Sequence, residues 1–407
     1  MLLFNYYSHD ARVTREAEAL IDRGYQVDCI CLRDSRDSRR PRPERMRLFF
    51  SPAEKYNGSR LLPHLLSNLH FFCFAFAKAC FLHLKKPYDV VQVHTMPDFL
   101  VFAALIPKLL GAKVILDVHD LMPEVYMTKF GSGYDHWLVR FIMWIERRSV
   151  AFAHSAICVH QPHLDVLVRH GNPREKFQIV LNVPDDKIFV RRELRTQSQQ
   201  DFRLIYYGSI PKRAGLDIAL KAIQCARREI PNLKFTIIGD QGDGFQHLGS
   251  LVRQLDLTDC VEFIPRVDVR ELPAKIAQAT VSLIPYTADA FTRYVLPTKL
   301  LECAVLGVPV IVSCLFTIES YFDDEMVAYV RPGDHMDLAN QIVRLYRNPD
   351  IAARLALNAR RFSESYSWQG QKAVYYGVVD SLIPNRQSAP ATLRNDAQLK
   401  GTNVHGD

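Results

Sequence analysis

The chain has 407 residues, of which 48% are hydrophobic and 23% are charged, and this composition excludes disorder of the chain as a whole. Its nine cysteines are scattered and form no CxxC pair, which excludes a disulfide scaffold, argues against a structural zinc site and predicts a cytoplasmic protein. The net charge of +7 permits an anionic partner but selects none.

Strand-like apolar runs alternate with helix-period segments along the first half of the chain. Strands are predicted at 2–7, 25–32, 88–94, 113–120, 156–160 and 177–182. Helices are predicted at 13–24, 99–112 and 162–171. This alternation is typical of parallel β-α-β units. Because the apolar runs lack a period of two, both faces of the sheet should be covered.

A strongly basic segment, Arg33–Arg47, follows the second predicted strand. It holds seven arginines, three acidic residues and two prolines, so a regular helix is not expected there. One interpretation is a solvated loop, and the other is a contact with anionic lipid headgroups or an acidic acceptor. No aromatic residue interleaves with the basic ones, which disfavours nucleic acid as a partner.

The longest uncharged stretch, 61–77, mixes leucine and phenylalanine with proline, histidine, serine and asparagine. This makes it a poor membrane span, which needs about 20 predominantly apolar residues. Extended to residue 84, the stretch is interpreted either as a buried or inter-lobe helix or as a helix in a membrane interface. In the second case the protein lies peripherally on the inner face of the cell membrane.

The alternation breaks at 183–201, which is polar and charged, and then restarts. Strands are predicted at 202–208, 233–240, 260–265, 280–286 and 308–313. Helices are predicted at 216–230, 247–257, 271–279 and 299–307. The sequence therefore predicts an α/β fold of two Rossmann-like, doubly wound lobes. They should face a cleft in which ligands bind outside the carboxyl ends of the strands.

A first candidate anion site follows the strand at 202–208. Gly208 and Ser209 lead through Lys212 and Arg213 to a helix start, where free N–H groups and two basic side chains favour an anion. Neither GxGxxG nor GxxxxGK[ST] is present, so neither a dinucleotide site nor a P-loop is indicated. The alternative for Gly208 is an ordinary turn between a strand and a helix.

A second anion site is predicted where Pro297 starts a helix. Thr298 and Lys299 fall in its first turn and offer backbone N–H groups, a hydroxyl and an ammonium. Glu302 lies on the same helix face as Thr298. The segment offers donors for a diphosphate and a carboxylate for ribose hydroxyls, unless Glu302 serves only as a partner of Lys299.

These segments resemble those of one known family. Similarity to the donor lobe of family 4 glycosyltransferases of the B-type (GT-B) fold is carried by YYGSIPKRAGLDIALKAI, IIGD and YVLPTKLLECAVLGVPVIVS. Similarity to their first lobe is carried by YDVVQVHTMPDFLVFAALIPKLLGAKVILDVHDLMPE, and similarity to their closing helix by SYSWQGQKAVYYGVVDSL. The resemblance covers residues 1–384 and points to bacterial polysaccharide-biosynthesis glycosyltransferases.

The resemblance implies roles for individual residues. Glu302 matches the family's ribose-binding glutamate, and Lys299 matches a residue at the donor phosphates. Arg213 matches the diphosphate-binding basic residue, with Lys212 as the alternative. His119 matches the histidine placed near the sugar on the acceptor lobe. From the residues alone, the alternative for His119 is a core histidine that closes a strand.

The same segments imply further donor-binding positions. These are Gly208, Ser209, Lys212, Gly239, Tyr294, Thr298 and Leu300. The family often carries a second glutamate, generally assigned to the transferred sugar, where this chain has Tyr294, and this departure leaves the donor sugar open. On the acceptor side, Asp10, Arg12 and Asp98 are candidates because they follow the first and third predicted strands.

The break in the alternation of strands and helices, together with the resemblance, predicts that the chain is divided into five parts. They are an acceptor-side lobe (1–184), a linker (185–201), a nucleotide-sugar-binding lobe (202–365), a closing helix that crosses back to the first lobe (366–384) and a disordered tail (385–407).

The activity that the resemblance implies is retaining transfer of a sugar from a nucleotide sugar to a hydroxyl of a lipid-linked or saccharide acceptor, in cell-surface polysaccharide synthesis. Fixed positive charge would stabilise the departing diphosphate. No DxD motif lies at a strand end, so no metal or other cofactor is expected. The family supplies no carboxylate pair of the kind that retaining glycosidases use, which favours front-face departure with the leaving phosphate taking the acceptor proton.

Other functions are compatible with the sequence. One is a nucleotide-sugar epimerase or hydrolase on the same fold, and another is a non-catalytic nucleotide-sugar-binding partner of another glycosyltransferase. An epimerase needs a carboxylate near the sugar, so Tyr294 counts against it, while the same residue is the one point in favour of the binding partner. Transfer of labelled sugar into a lipid or polysaccharide fraction distinguishes these functions.

Overall fold

The computed structural model describes residues 1–34, 43–56, 61–190, 201–239 and 243–383. Parts of three predicted segments lie outside these ranges: residues 35–42 of the basic segment, residues 191–200 of the linker and the tail at 385–407.

The first lobe is built on a seven-stranded parallel sheet. Its strands are β1 (Leu2–Tyr6), β2 (Val27–Leu32), β3 (Met46–Ser51), β4 (Val90–His94), β5 (Lys113–Asp117), β6 (Ser155–Cys158) and β7 (Phe177–Ile179). Its helices are α1 (Ala11–Asp22), α2 (Leu61–Lys85), α3 (Leu105–Leu109), α4 (Met122–Phe130), α5 (Trp137–Phe152) and α6 (Gln161–Arg169). The strand order β3-β2-β1-β4-β5-β6-β7 reverses between β1 and β4, so a ligand crevice is expected at their carboxyl ends.

The second lobe repeats this plan with six parallel strands. They are β8 (Phe202–Tyr207), β9 (Leu233–Gly239), β10 (Val261–Pro265), β11 (Val281–Ile284), β12 (Val310–Ser313) and β13 (Ala328–Val330). The helices are α7 (Leu216–Ala226), α8 (Asp243–Gln254), α9 (Leu272–Ile276), α10 (Thr298–Leu306), α11 (Phe316–Glu319), α12 (His335–Arg347) and α13 (Pro349–Ser365). The order β10-β9-β8-β11-β12-β13 is the strand order of a Rossmann fold.

Both sheets are covered on their two faces. Consecutive residues of β5, such as Ile115 and Leu116, are buried, and so are Leu283 and Ile284 of β11. Alternate side chains of a strand point to opposite faces, so both faces pack against other elements. The predicted fold class, two doubly wound α/β lobes, is confirmed.

A last helix, α14 (Trp368–Leu382), leaves the second lobe and packs on the first. Tyr375 is fully buried in one apolar cluster with Ile115, Ile157 and Val180. The guanidinium of Arg23, directly after α1, also donates to the carboxylate of Asp380 at 2.9 Å. The end of the described chain is therefore part of the first lobe's core.

The structure corrects two local predictions. The basic segment was expected to be irregular up to Arg47, yet Met46–Ser51 forms the edge strand β3, pairing in parallel with β2. Arg47 fits there because its guanidinium makes two bonds, of 2.7 and 2.6 Å, to the Asp28 carboxylate on the neighbouring strand. The helix expected at 99–112 is a 3₁₀-helix, Asp98–Ala104, followed by the short α3.

Helix α2 is neither buried nor inserted between the lobes. Phe71, Ala75, Ala79 and Leu82 form a stripe that packs into the core of the first lobe. Most of its other residues are at the surface, including several leucines, and the helix is long and apolar enough to cross a membrane by those two criteria alone. The prediction of a buried helix is therefore correct for one face only, because the other, apolar face stays exposed.

Candidate active site

A cavity of about 360 Å³ lies between the two lobes, at the carboxyl ends of their central strands. Its size is within the range of small-molecule sites. Seven of the residues predicted from the sequence line it, namely His119, Gly208, Ser209, Arg213, Tyr294, Thr298 and Lys299. The fold therefore brings both predicted anion segments together with the histidine of the first lobe.

The turn after β8 requires glycine. Gly208 has a φ of +114°, and a Cβ on it would come within 3.3 Å of the Lys299 Nζ. A Cβ on Gly239, at the end of β9, would lie 2.7 Å from the Gly208 carbonyl oxygen. Gly239 does not line the cavity, so it supports the turn from behind. The two glycines let the backbone and the lysine approach each other closely.

Lys212 and Arg213 are neighbours in the 3₁₀-helix Lys212–Ala214, which precedes α7. The Arg213 guanidinium lies 5.0 Å from the Phe291 ring centroid, and the Arg213 carbonyl accepts a 3.0 Å bond from the Thr287 N–H. Arg213 lines the cavity, whereas the exposed Lys212 is not among the lining residues. Of the two alternatives, the structure places Arg213 at the cavity.

Lys299 lies in the first turn of α10, which follows Pro297. Its Nζ donates a 2.8 Å bond to the Tyr206 hydroxyl and lies 4.0 Å from the centroid of that ring. Burial lowers the pKa of Lys299 to about 7, although Glu302 acts in the opposite direction. The N–H groups of Thr298 and Lys299, at the start of the helix, have no preceding helical carbonyl to bond to, so this corner of the cavity attracts anions.

Two other residues of α10 lie behind the cavity wall. Leu300 is fully buried in the core of the second lobe, and its N–H donates to the Pro297 carbonyl at 3.0 Å. Its side chain therefore packs in the core of the lobe and does not line the cavity. Glu302 is not among the lining residues; burial raises its pKa to about 7, while the Tyr207 hydroxyl and Lys299 lower it.

Tyr294 connects the lobes instead of standing free at the cavity. Its hydroxyl accepts a 3.0 Å bond from the Arg169 guanidinium, which belongs to α6 of the first lobe. Its ring also makes an edge contact with Phe316 at a centroid distance of 6.1 Å. The position that the resemblance matched to a glutamate is thus occupied here by a tyrosine that makes a contact across the cleft.

His119 is held at the end of β5 by polar contacts. Its N–H donates to the Thr95 hydroxyl at 3.0 Å, and its Nε2 lies 3.2 Å from the Asp117 Oδ2. Burial alone would lower the pKa of His119, but Asp117 outweighs this effect and the pKa is raised. His119 therefore lies at the cavity wall and is not the enclosed core histidine that the residues alone allowed.

The residues predicted on the acceptor side are bonded or buried within the first lobe. Asp10 accepts the Val13 N–H at 3.2 Å and caps α1. Arg12 is only 4% exposed, because its guanidinium pairs with Asp117 and Glu16 inside the lobe. Arg12 therefore supports the site from beneath and cannot contact an acceptor in this structure.

Asp98, also predicted on the acceptor side, does not line the cavity. It is 4% exposed, and burial, together with the charge of Glu146, raises its pKa well above the usual range. It lies next to a buried cluster in which His170 bonds to Glu124 and Glu146. Its position after β4 was correct, but the side chain faces the interior of the lobe.

Several cavity residues were not predicted. Asp120, His160, His163, Asn182, Tyr206 and Tyr286 line the cavity. Asp120 directly follows His119, and Tyr206 and Tyr286 lie at or just beyond the ends of β8 and β11, so the rule that ligands bind at strand ends was a usable signal. Of the others, His160 and His163 lie at the start of α6 and Asn182 in the loop after β7, and their place at the cavity depends on the packing of the two lobes.

A metal site is disfavoured at the one group of described residues close enough to hold an ion. The ligand atoms of His94, Asp117 and His119 lie within 4.8 Å of one another. However, the Arg12 guanidinium bonds to the same carboxylate. A second cation next to a buried arginine would be repelled in this low-dielectric setting.

Comparison with known proteins assigns both halves of the chain. Residues 9–182 match the glycosyl transferase 4-like domain, and residues 190–362 match glycosyl transferases group 1. The chain belongs to the family 4 glycosyltransferases. Among its relatives, the amylovoran biosynthesis glycosyltransferase AmsK of Erwinia amylovora is 25% identical over 197 residues, 48% of either protein.

A second relative is the D-inositol 3-phosphate glycosyltransferase of Paenarthrobacter aurescens. It is 24% identical over 257 residues, which are 60% of this chain and 62% of the relative. The chain thus matches about half to three fifths of the length of these two curated relatives.

Solved structures share the fold over nearly the whole chain. Sucrose-phosphate synthase of Thermosynechococcus elongatus has a TM-score of 0.71 at 19% identity, covering 91% of this chain and 92% of that chain. Anabaena HepE in complex with UDP-glucose has a TM-score of 0.67 at 16% identity, covering 93% and 99%. WaaG, a glycosyltransferase involved in lipopolysaccharide biosynthesis, has a TM-score of 0.66 at 15% identity, covering 94% and 98%. These likenesses establish the GT-B fold.

Proposed function

We propose that the protein transfers a sugar, with retention of configuration, from a nucleotide-sugar donor to a hydroxyl of a lipid-linked or saccharide acceptor in cell-surface polysaccharide synthesis. The observation that carries this proposal is the inter-lobe cavity, where Arg213 and Lys299 face His119. A relative named for amylovoran biosynthesis and a neighbour bound to UDP-glucose support the substrate class.

The positive charge in the cavity suits the departure of a nucleoside diphosphate. Negative charge develops on the leaving oxygens, and fixed donors directed at that position lower the barrier most effectively. Arg213, Lys299 and the first turn of α10 supply such donors without a metal ion, so we infer metal-independent transfer. Glu302, on the same helix behind Lys299, is assigned to the ribose hydroxyls.

The cavity favours front-face departure. Retaining glycosidases use two carboxylates about 5–5.5 Å apart. Asp120 is the only carboxylate among the described residues that line the cavity. A single carboxylate cannot act as both nucleophile and acid at the same time. The acceptor would therefore attack from the face that the diphosphate leaves, and the leaving phosphate would take its proton.

Replacing Arg213 tests this site directly. We expect Arg213→Ala to lower turnover by at least about 10²-fold, because the developing phosphate charge loses a fixed partner. Lys212→Ala is a matched control that removes the adjacent, exposed charge and should stay close to wild type. The measurement is transfer of radiolabelled sugar from a panel of UDP- and GDP-sugars into a lipid or polysaccharide fraction. Near-normal turnover of purified Arg213→Ala would contradict the site assignment.

A non-catalytic donor-binding partner is the second candidate, favoured by the Arg169–Tyr294 contact at the cavity. In that case the protein would bind a nucleotide sugar but show no transfer with any acceptor. Measuring sugar transfer from the UDP- and GDP-sugars together with the thermal shift that each donor induces distinguishes the two candidate functions. Binding without transfer would favour the partner.

We further propose that the first lobe contacts an anionic membrane on the cytoplasmic side. The exposed face of α2 carries Leu62, Leu65, Leu66 and Leu69, which are between 50% and 66% exposed. Lys78 and Lys85 lie on the same helix and rest over aromatic rings. Apolar residues with flanking lysines are what an interfacial helix needs at an anionic surface.

A further inference from the structure

The carboxylate of Asp117 contacts His119 from inside the first lobe. Its Oδ2 lies 3.2 Å from the His119 Nε2 and 3.0 Å from the His94 Nδ1, while its Oδ1 bonds to the Arg12 guanidinium. Asp117 has no exposed surface, so it cannot reach a substrate itself. Because Nε2 of His119 faces inward, Nδ1 is the ring nitrogen left for a ligand in the cavity.

A series of buried side chains holds Asp117 in turn. The Arg12 Nε lies 3.3 Å from the Glu16 carboxylate. The other Glu16 oxygen accepts a 2.6 Å bond from the Gln92 amide, and the Gln92 Oε1 accepts one of 2.6 Å from the Tyr375 hydroxyl. Tyr375 belongs to α14, so the closing helix is joined to the cavity wall by an unbroken run of polar contacts.

We propose that Asp117 is a positioning residue for His119: it directs Nε2–H inward and keeps the ring protonated, so that Nδ1–H is offered to the donor. This inference rests on the proposed glycosyltransferase function. A charged donor from the first lobe would complement Arg213 and Lys299 of the second lobe, which face it across the cavity. The leaving group would then be held by positive charge from both sides.

The surroundings of His119 agree with a protonated ring. Although burial would raise it, Arg12 and His119 hold the pKa of Asp117 well below its usual range, so the carboxylate stays charged. Asp10 also favours the protonated ring, whereas Arg12 opposes it. The His94 Nδ1 also lies 3.2 Å from the His119 Nε2, and its charge would oppose protonation of His119. The remaining titratable groups that interact with His119 are Glu16, Asp120 and His163.

The test replaces Asp117 with its uncharged isostere. In protein labelled with ¹⁵N-histidine, the wild-type His119 should titrate above 6.5, and its neutral form should carry the proton on Nε2; His119→Asn assigns the signal. We expect Asp117→Asn to lower this pKa by at least about one unit and kcat by about 10²-fold, with a smaller change in KM. Asp28→Asn is the control, since it also removes a buried partner of an arginine, at a distance from the cavity.

Several outcomes would overturn the proposal. A wild-type His119 that titrates below 6.5, or whose neutral form carries the proton on Nδ1, contradicts it even if Asp117→Asn does not fold. An Asp117→Asn protein with an unchanged His119 pKa also contradicts it. Absence of sugar transfer in the wild type would count against the proposed function, while the titration would still decide the role of Asp117.

Discussion

His170 is buried between two carboxylates of the first lobe. Its Nδ1 lies 3.1 Å from both oxygens of Glu146, and its Nε2 lies 3.2 Å from Glu124. Burial alone would lower the pKa of His170, but the bonds to the two glutamates raise it to about 9. The charged His170 therefore has a structural role inside the first lobe and does not line the cavity.

We expect His170 to make stability depend on pH. Its pKa in the folded state lies above the ordinary value of 6.5, so its contribution is complete below pH 6.5 and is lost as the pH rises to about 9. The loss amounts to at most about 3 kcal/mol. Urea unfolding of wild type and His170→Gln should therefore converge with rising pH. A constant gap for His170→Gln would contradict this.

Residues at strand ends were the most predictable part of the site. Gly208, Arg213 and Lys299 follow short-range signals, namely a glycine turn and a helix start, and all three line the cavity. Arg12 followed the same rule and proved to be buried, because its partner Asp117 lies 105 residues away in the sequence. Pairing at such a distance has no local signature, so the burial of Arg12 could not be predicted.

Among the elements, α2 shows most clearly what a composition argument misses. Its polar residues suggested a poor membrane span, yet they are distributed so that one stripe packs and the opposite face remains apolar. Edge strand β3 was missed because its one arginine, Arg47, was interpreted as part of a basic loop. Arg47 is accommodated through Asp28 on β2. In both cases the neighbouring elements decide which residues face inward.

The α2 surface gives a prediction for membrane binding. We expect the double variant Leu65→Glu and Leu69→Glu to lose most of its co-sedimentation with phosphatidylglycerol vesicles at low salt, because both leucines are exposed on the proposed contact face. The matched control is Leu357→Glu on α13, whose residue is 53% exposed, as is Leu69. If the wild-type protein stays in the supernatant with anionic vesicles, the proposed membrane contact is contradicted.

At the scale of the whole molecule, several hydrogen bonds that involve side chains cross the cleft, including one from the Phe291 N–H to the Thr128 hydroxyl at 3.1 Å. Thr128 of α4 donates to the Asp289 carboxylate at 3.1 Å, the Tyr321 hydroxyl accepts the N–H of Gln161 at 3.2 Å, and Arg169 reaches Tyr294. Each bond is worth only about 1 kcal/mol. Together they bias the lobes towards the arrangement seen here without locking it.

Removing two of these bonds should loosen the lobes. We expect the double variant Tyr294→Phe and Tyr321→Phe to show a larger radius of gyration in solution scattering than wild type, because about 2 kcal/mol of inter-lobe bonding is lost. Tyr329→Phe is the control, since its hydroxyl bonds to Phe322 within the second lobe. An unchanged radius in the double variant would show that packing alone sets the lobe arrangement.

The position of α14 also has a consequence for biosynthesis. Ile115, Ile157 and Val180 are covered by Tyr375 and Val379 of α14. The first lobe therefore leaves the ribosome about 200 residues before the helix that covers it is synthesised. At roughly 5–20 residues per second, this apolar patch stays open for about 10–40 s in each nascent chain. During that interval the first lobe is exposed to aggregation, and a chaperone that shields hydrophobic surface would bind it until translation is complete.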